Sequence, residues 1–76
     1  MKTLQLLNIG SNILKKNKIA SHILDSEIIL SKILNTSRER LLINQSTVSS
    51  KNIVEFKNKI VRRSRSEPIA YIFKTK

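Results

Sequence analysis

His22 is the only imidazole in the chain, and no cysteine or second histidine accompanies it. A zinc-type ligand set is therefore out of reach. His22 lies beside the expected start of a helix, where the positive end of the dipole disfavours protonation. A structural histidine, exposed or partly packed, explains it better than a ligand. Asp25 and Glu27 stand two positions apart, which on a helix turns their side chains about 200° from one another. They cannot act as a carboxylate pair, and both read as solvated carboxylates complementing a helix start. Serine and threonine are plentiful, but a nucleophile needs a base within hydrogen-bond reach, and the sole histidine has no identified acidic orienter. A single glycine leaves no glycine-rich phosphate loop. No catalytic, cofactor-binding or metal-binding constellation emerges.

Arg62, Arg63 and Arg65 form the densest cationic cluster. Two uses fit it. One is dipole complementation and capping of the last carbonyls of a helix. The other is a grip on phosphate or carboxylate through the rigid guanidinium fork. Tyr71 and Phe73 are the only aromatics nearby, too few for base stacking to be a theme. Fifteen Lys and Arg against five Asp and Glu give a net charge of +10. A polyanionic partner would account for it through counterion release. So would compositional drift, since Ile, Lys and Asn supply 29 of the 76 residues (12, 10 and 7), the bias of an A+T-rich coding sequence. Net charge bears on solubility and non-specific binding, not on fold.

These side chains must be positioned by helices. Residues 4–16 place Leu6, Ile9 and Ile13, with Leu7, Gly10 and Leu14, at spacings of three and four. Gly10 inside such a helix suggests close approach by another helix. Ser21 is a candidate N-cap for a second helix to about residue 34, closed by Asn35. Its apolar face, Leu24, Ile28, Ile29, Leu30, Ile33 and Leu34, is the widest in the chain and marks it as central. Thr36-Ser37-Arg38-Glu39 has capping-box spacing and suggests a short third helix. Ser49 or Ser50 can cap a fourth over about residues 51–63, with Ile53, Phe56, Ile60 and Val61 inward. Glu67-Pro68 opens a short fifth element through Tyr71, with proline suited to a first helical position.

At 76 residues there is room for one small domain with a thin core. One Gly and one Pro argue against an all-β fold with its many turns. The expectation is an all-α fold, a small bundle of about five short helices. The longest apolar run is five residues, Ile69 to Phe73, so neither a signal peptide nor a membrane span is expected, and a cytoplasmic location without a membrane partner is the default.

The segment Arg62-Arg63-Ser64-Arg65-Ser66-Glu67-Pro68-Ile69-Ala70-Tyr71-Ile72 resembles the R-R-x-x-G-E-P-x-x-Y-I stretch of the HemK/PrmC-type glutamine methyltransferases that modify peptide-chain release factors. Upstream, Ser21-His22-Ile23-Leu24-Asp25-Ser26-Glu27-Ile28-Ile29-Leu30 is similar to that family's S-x-x-x-D-A-E-x-L-L helix. Ile33-Leu34-Asn35-Thr36-Ser37-Arg38 is similar to the apolar-L-x-x-S-R ending that follows it. The order matches through nearly the whole chain.

The resemblance implies an N-terminal helical docking domain spanning residues 1–76 and not itself an enzyme. Its partners would be a peptide-chain release factor and, in cis or in trans, a Rossmann-like methyltransferase catalytic domain. S-adenosylmethionine and the family's Asn-Pro-Pro-Tyr motif belong to that catalytic domain; this chain has neither the motif nor a cofactor loop. Arg62, Arg63, Arg65, Glu67, Pro68 and Tyr71 become candidate partner-docking or interdomain residues. Two features depart from the family pattern. Ser66 stands where glycine is usual, pointing to a strained or altered turn. The ending Phe73-Lys74-Thr75-Lys76 replaces a glycine and a later phenylalanine, consistent with a split or truncated reading frame or an excised domain, and with partial exposure of Tyr71, Ile72 and Phe73. The alternative readings are a small basic helical module binding nucleic acid non-specifically, and an inactive remnant of a split gene.

Overall fold

A computed structural model describes residues 1–43 and 46–74. They form five helices: α1 (Thr3–Lys16), α2 (His22–Leu34), α3 (Arg38–Ile43), α4 (Ser50–Ser64) and α5 (Ile69–Ile72). The expected all-α bundle is what the chain adopts. Helices α1, α2 and α4 each pack on the other two, α3 lies against α2 and α1, and α5 closes onto α4. Leu6 and Leu14 of α1, Ile29 and Leu30 of α2, and Phe56 and Ile60 of α4 are fully buried at their junction, and Ile72 of α5 is fully buried as well. Ile33 is half-buried against the same core.

Gly10 explains how the three long helices come so close. A Cβ there would stand 2.6 Å from Phe56 Cζ and 2.9 Å from Ser26 Oγ. The hydrogen at this position admits the Phe56 ring on one side and Ser26 on the other. Ser26, itself buried, donates its hydroxyl to the Leu7 carbonyl at 3.0 Å, so a polar atom at the α1–α2 contact is satisfied.

The helix ends follow local chemistry. Asn35 closes α2 in the left-handed region at φ 55°. Ser49 caps α4, its hydroxyl accepting from Asn52 N–H at 3.3 Å. At α3 the cap falls one residue later than the capping-box spacing suggests. Ser37 Oγ accepts from Arg40 N–H at 3.2 Å, so Glu39 is an ordinary exposed residue and not a capping partner. At α2, Ser21 occupies the N-cap, but its hydroxyl donates to Asp25 Oδ2 at 2.8 Å and caps no backbone amide. Pro68 likewise precedes α5 as its N-cap instead of opening its first turn.

Three side chains lie on a different face from the one expected. Leu24 is 41% exposed because the inward stripe of α2 runs through Asp25, Ser26, Ile29 and Leu30, a set whose three- and four-residue spacing leaves Leu24 outside. Val61 is 41% exposed, since Phe56 and Ile60 define the buried side of α4 and the next residue is carried about 100° away. Ile72, expected to be partly exposed, is fully buried. Its neighbours Tyr71 and Phe73 are exposed and half-buried respectively.

The N-terminal residues are pinned in a way that periodicity does not show. Val48 N–H donates to the Met1 carbonyl at 2.9 Å and Thr3 N–H to the Ser46 carbonyl at 3.2 Å. Thr3 is buried as a result. No helix among the described residues is long and apolar enough to cross a membrane.

Candidate docking site at the end of α4

The last turn of α4 points two guanidinium groups at the segment that follows it. Arg62 holds Glu67 through two parallel bonds, Nε to Oε1 at 3.1 Å and Nη2 to Oε2 at 2.6 Å. Its remaining nitrogen, Nη1, reaches the Ile72 carbonyl at 3.4 Å. Arg63 turns the other way. Its Nε donates to Asp25 Oδ2 at 2.9 Å and its Nη1 to the Glu67 carbonyl at 3.1 Å. A carboxylate grip, one of the two uses open to this cluster, is realised within the chain itself, with planar forks matched to carboxylates.

This arrangement changes the reading of Asp25. It is 5% exposed, and it accepts from both Ser21 and Arg63. It is a buried ion-pair partner that joins α2 to α4, not a solvated carboxylate at a helix start. Glu27 is paired as well, with Arg38 Nε at 3.3 Å. The mutual hydrogen bonds of Arg62 and Glu67 act on their protonation: the Glu67 carboxyl is held below its ordinary range, and Arg62 is pushed above its own.

The turn that makes this geometry possible passes through Ser66 at φ 68°. The left-handed conformation is costly for a residue with a Cβ, so of the strained and altered turns expected from serine in a glycine position, the strained one is adopted. Ser66 N–H donates to the Arg63 carbonyl at 2.8 Å, closing the helix end before the chain reverses toward Pro68.

The six candidate residues therefore divide. Arg62, Arg63 and Glu67 are engaged with one another and with Asp25. Arg65, Pro68 and Tyr71 face solvent, Tyr71 at 56% exposure. Phe73 lies at the edge of the group, with Lys32 Nζ 5.8 Å and Lys59 Nζ 5.5 Å from its ring centre. His22 is held by Ser11, Oγ to Nδ1 at 2.7 Å. Val54 and Val61 are exposed on the same helix as the arginines. Sequence reasoning gave Val54 no role and Val61 a core one; their spacing of seven is the signal that they share an outward face.

The chain matches the model of the PrmC N-terminal domain over residues 5–73. It is 36% identical over 70 residues to a release factor glutamine methyltransferase of Leptospira interrogans serogroup Icterohaemorrhagiae serovar Lai (strain 56601). That alignment covers 91% of this chain and 24% of the relative, so the chain spans about a quarter of that protein's length. No solved structure matches. The family match runs from α1 to the end of α5 and includes both arginine clamps: the chain belongs to the PrmC N-terminal domain family.

Proposed function

We propose that this chain is a non-catalytic docking domain that helps present a peptide-chain release factor to a cytoplasmic glutamine methyltransferase domain. One observation carries the reading. Nearly the whole chain aligns with a quarter of a release factor glutamine methyltransferase, within a family defined as that enzyme class's N-terminal domain.

The residues themselves fit a binding role better than a chemical one. His22 is tied to Ser11, Glu27 to Arg38, and Asp25 and Glu67 to arginines. Each titratable group that sequence spacing singles out is thus occupied in holding the fold. S-adenosylmethionine does not fit these residues. Gly10, the single glycine, is filled by Phe56 and Ser26 on either side and cannot open as a cofactor loop. We assign that cofactor, and methyl transfer, to a catalytic domain acting in cis or in trans.

The test is a titration of the isotope-labelled 76-residue chain with a release factor, with and without a methyltransferase catalytic domain of the family. Localised amide shifts and saturable binding support docking. Unchanged spectra in both mixtures contradict it.

A further inference from the structure

Among the described residues nothing covers the outward face of α4, and its composition is specific. At about 100° per residue, Val54, Val61 and Arg65 fall within about 20° of one line along the helix. Lys51 and Lys57 lie about 60° to either side of that line. All five are exposed, with Val54 at 59% and Val61 at 41%. The result is a short ridge of two valines about 10 Å apart along the axis, with exposed Asn58 between them about 40° to one side, fenced by cations.

Among the described residues, no carboxylate faces this ridge. Asp25, Glu27 and Glu67 are bound to Arg63, Arg38 and Arg62. Glu39 belongs to α3. Glu55, the acid of α4 itself, is half-buried on its flank, about 100° from Val54. The positive field is therefore uncompensated where the apolar ridge is exposed.

We propose that this face binds an acidic amphipathic helix of a protein partner, laying apolar side chains at i and i+7 on Val54 and Val61 with Asp or Glu opposite Lys51, Lys57 and Arg65. The mode is an amphipathic helix seated by spaced apolar anchors, with charge complementarity fixing register. The sign of the charge disfavours a second copy of this chain, which would bring the same cations to the same place. Nucleic acid is the weaker match, because two exposed valines carry the face and, among the described residues, this side of α4 offers no aromatic for a base to stack on. The proposal deepens the docking role and rests on it only for the identity of the natural partner.

The experiment separates the two. The labelled chain is titrated with a synthetic helical peptide carrying leucines at i, i+4 and i+7 flanked by glutamates, and separately with a single-stranded RNA of equal net charge. Expected are peptide-induced shifts concentrated on the outward positions of residues 51–65. The double variant Val54→Ser, Val61→Ser should weaken the peptide about tenfold while changing RNA binding less than about twofold. Lys57→Glu should weaken the peptide by a similar factor, and Lys16→Glu on α1 should not. Circular dichroism confirms that each variant stays folded. Peptide shifts elsewhere, no peptide binding, or equal loss with Lys16→Glu overturns the proposal. So does RNA binding to this face more tightly than the peptide. A release factor added in parallel should shift the same amides. If it binds elsewhere, the release factor is not the partner of this face, and the docking role stands. If it does not bind while the peptide does, the docking role fails and the face stands.

Discussion

Arg63 and Asp25, separated by 38 positions in the chain, meet at 2.9 Å and tie the last turn of α4 to the first turn of α2. The Asp25 side chain is only 8% exposed and that of Arg63 21%, so the pair is shielded from solvent on both sides. Truncating Arg63 to alanine leaves a buried carboxylate with only the Ser21 hydroxyl for company. We expect a loss of about 3 kcal/mol, a large part of the roughly 3–5 kcal/mol that a single core of this size supplies. Urea unfolding of Arg63→Ala, Asp25→Ala and the double variant measures it. The double variant should cost clearly less than the sum of the singles. Strict additivity would mean that the contact contributes nothing.

Gly10→Ala tests the close approach of three helices. The added methyl would collide with the Phe56 ring and Ser26 Oγ, and Phe56 is fully buried with nowhere to retreat. Overpacking of this kind costs about 1–3 kcal/mol, overriding alanine's better helix propensity of about 1 kcal/mol. A thermal melt shows which term wins. An unchanged or raised Tm would show that the helices can part at no cost.

Ser66→Gly should act in the opposite direction. At φ 68° the serine side chain costs about 1–2 kcal/mol, partly offset by the extra entropy glycine has when unfolded. A net gain of under about 1 kcal/mol corresponds to a Tm rise of a few degrees in a domain of this length. The Arg62–Glu67 bonds should survive. A lower Tm would place the strain elsewhere.

Acid sensitivity follows from Glu67. Its carboxyl is held below the ordinary glutamate value of about 4.3 by the hydrogen bond from Arg62. The unfolded chain therefore takes up a proton first as pH falls. The contribution of this pair is fully present above the ordinary value and disappears as pH drops through the lowered one. Arg62 is protonated in both states over that window and adds no slope. Glu67→Gln should flatten the acid limb of the Tm profile while leaving its neutral plateau lower. An acid limb identical to that of the unsubstituted chain would contradict the assignment.

Local features were legible and distant partnerships were not. Asn35 and Ser49 announced their helix ends because capping is settled within a few residues. Serine in a family-typical glycine position pointed to a strained or altered turn, and the strain is present as the positive φ of Ser66. Thr36 and Ser37 both suit a cap, and the one-residue choice between them depends on how α3 packs. Asp25 misled more seriously. Two residues from Glu27 and near a helix start, it has every local mark of a solvated acid. Its burial is set by Arg63 on another helix, and periodicity carries no trace of that. Val61 was placed inward for a related reason: with Phe56 and Ile60 it makes a longer apolar stripe, but the close α1–α2–α4 junction admits only the narrower one. The arginine cluster was legible as a carboxylate grip in kind, while its carboxylates became identifiable only in three dimensions.

The central claim, a docking domain for release factor methylation, is tested most directly by exchange. In the Leptospira interrogans release factor glutamine methyltransferase, the segment aligned with this chain is replaced by residues 1–76, and methyl transfer to a release factor is measured beside the intact enzyme and the enzyme lacking that segment. The account predicts that the chimera recovers kcat/KM above the truncated enzyme, mainly through a lower KM, because docking acts on substrate binding and not on the chemical step. A chimera that folds but is no better than the truncated enzyme would contradict it.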